Sequence, residues 1–206
     1  CVYVCADDAH GTAVMLSAQQ AGQAPEDWIE AVRQDHLSDF NAFHIHFDCY
    51  HSTHSPENQR LSETVYQAAL DKGAIVTRDI DQYYDEEAGL FLADRYLRGT
   101  CPKCGAEDQY GDACESCYGT YSATDLRDPK STLSGTTPVL KSSTHYFFQL
   151  SKFQAEIEEW LSTAPVSPEV RRKCNEWLTT ELKDWDISRD DPYFGFKIPG
   201  TEDKYF

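Results

Sequence analysis

Apolar and polar positions repeat along this chain with two different periods, and the period changes near residue 73. Cys1-Val2-Tyr3-Val4-Cys5 is a short apolar run that predicts a buried strand; Ala6-Asp7-Asp8-Ala9-His10-Gly11 predicts a polar turn and Thr12 to Ala21 a helix. Strand, polar turn and helix in that order open a parallel α/β unit. Ligands of such sheets bind at the carboxyl ends of the strands, so Asp7, Asp8 and His10 stand where chemistry is usually done. The bland alternative is that one of the two aspartates only caps the helix. Pro25-Glu26-Asp27 starts an amphipathic helix running to about Phe43, with Trp28, Ile29, Val32, His36, Leu37 and Phe40 near 3.6-residue spacing. His44 to Tyr50 reads as a second strand and His51-Ser52-Thr53-His54 as the turn at its end. Ser55-Pro56 then starts a helix that closes on Lys72-Gly73.

Beyond Gly73 short strands take over, at Ala74 to Arg78, Asp81 to Tyr84, Gly89 to Leu92 and Arg95 to Leu97, and they predict a small separate β module. His145 to Leu150 reads as a further strand. Ser151 is placed to cap a helix to about Thr163, and Ser167-Pro168 to start one reaching Lys183, with Val170, Cys174, Trp177, Leu178 and Leu182 on one face. Tyr193-Phe194-Gly195-Phe196 reads as a core-facing strand rather than a substrate box.

The chain has 206 residues, 40% of them hydrophobic, which suffices for one sizeable core and a smaller module. No window approaches the about 18 to 20 consecutive apolar residues of a membrane span, and the N-terminus has no signal-peptide pattern, so the chain reads as soluble and cytoplasmic. A net charge of -17 excludes a basic groove over the whole surface, leaving nucleic acid only a local patch or surfaces elsewhere in a longer protein. Strand-like ends, with no initiator Met, predict an internal fragment of such a protein.

Cysteine usage sharpens this picture. Of eight cysteines, Cys101, Cys104, Cys114 and Cys117 form C-x2-C-x9-C-x2-C, while Cys1, Cys5, Cys49 and Cys174 are scattered. Two such pairs let four thiolates converge tetrahedrally on a structural zinc ion, and four thiolates leave no open position for water. A redox dithiol needs one C-x-x-C on a thioredoxin-like unit, not two in a loop rich in glycine and aspartate. Glycine would most easily supply the positive φ that ends each knuckle, yet Tyr118-Gly119 follows Cys117.

Four segments occur in one order: Cys5-Ala6-Asp7-Asp8-Ala9-His10-Gly11-Thr12, Tyr50-His51-Ser52-Thr53-His54-Ser55, the cysteine knuckle, and Trp185-Asp186-Ile187-Ser188-Arg189-Asp190. Together they resemble the bacterial methionyl-tRNA synthetases, of class I, over essentially the whole chain. The resemblance implies an α/β fold. Residues 1–72 would be part of the first half of a Rossmann-type catalytic domain, 73–183 a connective-peptide insertion with its zinc knuckle at 101–117, and 184–206 the return segment. It implies activation of methionine with ATP and Mg²⁺, followed by transfer to tRNA(Met). The family's HIGH and KMSKS signatures are not among these residues, so the resemblance implies a fragment inactive by itself. Asp8 is the position that holds the methionine ammonium, Arg189 the arginine that pairs with it, and His51 a position near the substrate. The rivals are a non-catalytic zinc-ribbon interaction module and another nucleotidyl-transfer enzyme of the same α/β class.

Overall fold

The computed structural model describes residues 1–179 and 182–206. They form a mixed α/β chain that divides into two compact units. The first comprises Cys1–Glu63, Asp81–Ser143 and Arg189–Phe206, and the second Thr64–Ile80 and Thr144–Ser188.

The first unit begins with β1 (Val4–Asp7), α1 (Thr12–Ala21), α2 (Pro25–Ala42) and β2 (Cys49–Ser52). β1 and β2 pair in parallel, Val4 opposite Cys49 and Asp7 opposite Ser52, so both strands end at one edge. This is the strand, crossover, strand unit that the sequence predicts, with two differences. β1 is not buried: Val4 is 61% exposed, because β2 is its only neighbour among the described residues. β2 starts later than the apolar run at His44, since His44 itself takes φ 58°, a left-handed backbone that no strand continues. The His51-Ser52 pair assigned to a turn is therefore the last part of β2. Helix α1 begins at Gly11 with no side-chain cap, so neither Asp7 nor Asp8 is spent on capping. The Asn58 N–H donates to Ser55 Oγ at 3.3 Å to open α3 (Pro56–Asp71), whose residues are shared between the two units.

Further along, β3 (Ile75–Asp85) is one strand where the sequence suggests two, and its end pairs with β4 (Leu90–Phe91). β5 (Leu97–Thr100) lies between β6 (Gln109–Tyr110) and β7 (Arg127–Ser131) in an antiparallel sheet. Tyr83, Leu90, Leu92, Leu97 and Leu126 make the core beneath it. The second unit holds the end of β8 (Val139–Phe148), α4 (Gln154–Thr163), α5 (Pro168–Leu178) and β9 (Trp185–Asp186). Ser167 Oγ accepts from the Val170 N–H, as its place before Pro168 predicts, but Ser151 caps nothing because a 3-10 turn at Leu150–Phe153 precedes α4. α5 ends at Leu178, five residues before Lys183. The β-branched Thr179 is its C-cap, Leu182 and Lys183 are not helical, and residues 180 and 181 lie outside the described residues.

Back in the first unit, β10 (Arg189–Asp190) pairs with β11 (Lys204–Tyr205), Asp190 facing Lys204 and Arg189 facing Tyr205. Side chains alternate across a strand. Lys204 and Asp190 are buried as an ion pair, with side chains 8% and 6% exposed. Ser143 donates to Asp190 Oδ1 at 2.5 Å, and Gln82 to Asp190 Oδ2 at 3.0 Å. Arg189, one position earlier, is exposed. Removing one member of a buried pair strands the other charge. Lys204→Met is accordingly expected to lower the urea-unfolding free energy on the order of 3 to 5 kcal/mol, and Asp190→Leu/Lys204→Met to recover most of it. A loss below about 1 kcal/mol, the scale of a surface pair, would show that the burial carries no such penalty.

Candidate active site and metal centre

At the carboxyl ends of β1 and β2 the two aspartates separate into different roles. Asp7 Oδ1 accepts hydrogen bonds from the Tyr50 hydroxyl at 2.5 Å and from His36 Nδ1 at 2.7 Å, so Asp7 ties β1 to β2 and α2. Burial, and then the neighbouring Asp7 carboxylate, raise the Tyr50 pKa and keep that phenol a donor. Asp8 is exposed, and no described residue hydrogen-bonds to its carboxylate. It lines a cleft of about 130 Å³ with Asp7, Ala9, Val14, Trp28, Ile29, Val32 and His36, apolar on the helix side and acidic at the strand ends.

Arg189 makes no ion pair with Asp8. Both instead act on Tyr193, whose phenol pKa is raised by burial, lowered by Arg189 and raised by Asp8. Gly11 is required by its backbone, φ of +113°, and not by space, since a Cβ there would make only an ordinary contact with the Tyr193 hydroxyl at 3.7 Å. Arg189 also opposes the rise in the Asp94 pKa that desolvation and Asp112 cause. His51 is exposed on β2 with its Nε2 3.6 Å from Glu57 Oε2 and is not part of the cleft lining. Phe194 and Phe196 face the interior as the sequence suggests, though in an irregular segment and against His10 and His54.

Within Trp185 to Asp190, Asp186 accepts from His145 Nδ1 at 2.6 Å and Ser188 Oγ accepts from the Tyr146 N–H at 2.9 Å. Asp186, Ser188 and Asp190 therefore serve the fold. The arginine that alternates with them is the one charged side chain of the motif turned outward. The sequence singles out Tyr193 and His10 but gives no sign of the Tyr193–Gly11 approach or of the His10–His54 contact, because both arise between segments far apart in the chain.

The four cysteines converge. Their sulfurs all lie within 4.8 Å of one another, with Cys101 to Cys117 at 3.9 Å and Cys104 to Cys114 at 3.6 Å. Tetrahedral zinc with Zn–S of about 2.3 Å requires sulfurs about 3.8 Å apart, so the donor set fits that ion. The N–H groups of Lys103 and Cys104 point at Cys101 Sγ, at 3.4 and 3.5 Å, and those of Ser116 and Cys117 at Cys114 Sγ, at 3.3 and 3.4 Å. Burial opposes ionisation of Cys101, but these amide donors prevail and hold its pKa at about 6.

The two knuckles share one backbone pattern. Gly105 N–H donates to Cys101 O at 3.0 Å, and Tyr118 N–H to Cys114 O at 2.9 Å. Gly105 has φ 76° and Tyr118 φ 56°, so tyrosine itself takes the left-handed position that the sequence suggested glycine should fill. The next residue, Gly119, is needed for space instead, since a Cβ there would come within 2.9 Å of Lys103 and 3.3 Å of Cys117 Sγ.

Residues 1–206 match the family model described as tRNA synthetases class I (M), and the chain belongs to that family. Its fold is similar to that of Mycobacterium tuberculosis methionyl-tRNA synthetase. Two structures of that enzyme with methionyl-adenylate align at 17% and 18% identity with a TM-score of 0.66, covering 99% of this chain and 36% of theirs. The apo form aligns at 17% identity and a TM-score of 0.51, over 85% of this chain and 32% of that one. The chain thus spans about a third of the length of the solved proteins it matches. No helix of the described residues is long and apolar enough to cross a membrane.

Proposed function

We propose that this chain is part of a methionine-tRNA ligase, with Asp8 as the anion that receives the ammonium of methionine. The observation that carries the reading is the Asp8 carboxylate, unclaimed by any described donor, at the end of a parallel strand in a class I synthetase chain. A substrate ammonium needs a fixed anion there, and a charge-assisted contact fixes its direction as well as its distance. In this reading Arg189 orients the site and His51, toward the end of the adjoining strand, stands close to the substrate.

In the reaction a methionine carboxylate oxygen attacks the α-phosphorus of ATP, the bond to the β-phosphate bridging oxygen breaks, and pyrophosphate leaves. A ribose hydroxyl of the terminal adenosine of tRNA(Met) then attacks the activated carbonyl, loses its proton and releases AMP. Asp8 contributes by position and charge, and no group in this chain acts as acid or base. ATP and Mg²⁺ are held by residues outside the 206. Zinc at Cys101, Cys104, Cys114 and Cys117 is structural, since four thiolates fill its coordination shell.

In this reading residues 1–72 are catalytic-domain residues, 73–183 the connective-peptide insertion and 184–206 the return to the catalytic domain, in a cytoplasmic enzyme. The chain's acidity leaves most tRNA contacts to the rest of the protein. The test is ATP–pyrophosphate exchange by the full-length protein. Exchange stimulated by methionine and not by other amino acids is expected; equal stimulation by leucine or isoleucine, or none by methionine, would overturn the assignment. The 206-residue chain expressed alone is expected to show no methionine-dependent exchange, because it contains neither triphosphate-handling signature. Exchange above background from the purified chain would disprove that requirement.

A further inference from the structure

The loop that carries Asp8 is fastened on both sides of that residue. Before it, the Thr53 N–H donates to Asp7 O at 2.9 Å; after it, the Ala9 N–H donates to Thr53 Oγ1 at 2.8 Å. The Gly11 N–H donates to Phe194 O at 2.9 Å. Between these ties, His10 Nε2 and His54 Nδ1 lie 2.9 Å apart, one ring donating and the other accepting. The rings meet edge to face with centroids 5.1 Å apart. Phe194 and Phe196, each 8% exposed, complete the enclosure: His54 stacks on them at 4.9 and 5.3 Å, and His10 meets them edge-on at 5.6 and 4.6 Å. Both rings are half-buried, so water can replace a lost partner only in part, and losing one ring weakens the hydrogen bonding of the other.

We propose that His10 and His54 are positioning residues for the amino-acid site: their hydrogen bond fixes the peptide on the carboxyl side of Asp8 and so aims a carboxylate that no side chain holds. The inference rests on the reading of Asp8 as the ammonium partner. Its logic is that of preorganisation. The ties at Asp7 and Ala9 both run to the single residue Thr53, and the next, from the Gly11 N–H to Phe194 O, is a backbone bond at the start of α1. The His10–His54 bond is a separate cross-tie, made by side chains and braced by aromatic rings from a third segment. With it the segment after Asp8 is held by side chains as well as by backbone, and Asp8 keeps one direction. Neither histidine touches substrate in this account. Their loss is felt where Asp8 meets the ammonium, and not where ATP binds.

The experiment uses the full-length protein and compares His10→Phe, His54→Phe and the double variant with His10→Gln, which keeps a polar group at the ε position. Pyrophosphate exchange gives KM for methionine and for ATP, and thermal unfolding is followed in parallel. The phenylalanine variants are expected to raise the methionine KM roughly ten- to a hundredfold, the scale of a small misplacement at a reacting centre, with the ATP KM little changed. The double variant should be no worse than the worse single, because the two residues act as one bond. His10→Gln should restore much of the methionine KM. Methionine KM unchanged in both phenylalanine variants overturns the proposal, as does a loss shared equally by methionine and ATP or one that tracks only the drop in Tm. Should the phenylalanine variants fail to fold, His10→Gln against His10→Ala decides the matter by the same KM comparison. If the wild-type protein shows no methionine-dependent exchange, the assignment of the substrate has failed, and this control separates that failure from a failure of the histidine pair.

Discussion

Asp8→Ala in the full-length protein is expected to lower methionine activation by about three to four orders of magnitude while leaving metal content and fold intact. One charge-assisted hydrogen bond is worth about 1.5 to 3 kcal/mol, or roughly ten- to a hundredfold. The same contact also determines where the substrate carboxylate meets the α-phosphorus, and misplacement there costs roughly a further hundredfold. The two effects multiply because the first concerns binding and the second the geometry of attack. Fold is spared because no described residue donates a hydrogen bond to the Asp8 carboxylate. Asp7→Asn provides the contrast: it weakens the anchor for Tyr50 and His36, and should cost stability more than it costs kcat. In the proposed reading Arg189→Gln should reduce activation less than Asp8→Ala, since Arg189 orients the site and Asp8 receives the ammonium itself. Steady-state pyrophosphate exchange with Tm for each variant measures all three. Activation undiminished in Asp8→Ala, or lowered equally in Asp7→Asn and Asp8→Ala, would remove the distinction between a structural and a functional aspartate.

That distinction shows how far the sequence could be read. Asp7 and Asp8 are adjacent, identical in chemistry and equally placed after an apolar run. What separates them is Tyr50, 43 positions later, and His36 on the intervening helix. Features carried by neighbouring residues were legible: the caps at Ser55 and Ser167, the glycine that closes α3, and the cysteine spacing all act within one turn or loop. The His10–His54 contact also bridges 44 positions, and the Asp190–Ser143–Gln82 cluster 47 and 108, and such contacts leave no periodic trace. The burial of β1 was misjudged for a related reason. An apolar strand in a parallel sheet implies cover on both faces, but cover comes from other segments, and among the described residues β2 alone pairs with it. Local steric choice accounts for the remaining departures, since φ at His44 and Tyr118 is positive where side-chain type alone argues against it.

Removal of zinc is expected to unfold the knuckle while α1, α2 and α3 keep their structure. Residues 101 to 121 contribute to the sheet of β5, β6 and β7 only the two-residue β6, so their order depends on the ring closed by four thiolates. Cys101 and Cys114 are buried, and Tyr121, at the end of the knuckle, packs against the core that holds Leu97 and Leu126. Cys104 and Cys117 are exposed, and a chelator has its entry there. Structural zinc in small domains contributes on the order of 10 to 16 kcal/mol of apparent binding free energy, much of it spent in folding the ligands' own loops. A chain of net charge -17 adds a reason for a cation: four thiolates crowded within 4.8 Å repel one another unless one binds between them. Elemental analysis of reduced protein should give one zinc per chain. On chelation, hydrogen exchange should rise first at the amides of Lys103, Cys104, Ser116 and Cys117, which donate to the sulfurs, and then along β6. Cys114→Ser should reproduce the chelated state without a chelator. Folded, reduced protein with well under one equivalent of metal, or disulfides among the four cysteines, would rule out this account. So would a chelated knuckle that keeps its exchange protection, since the short strands would then be holding it unaided.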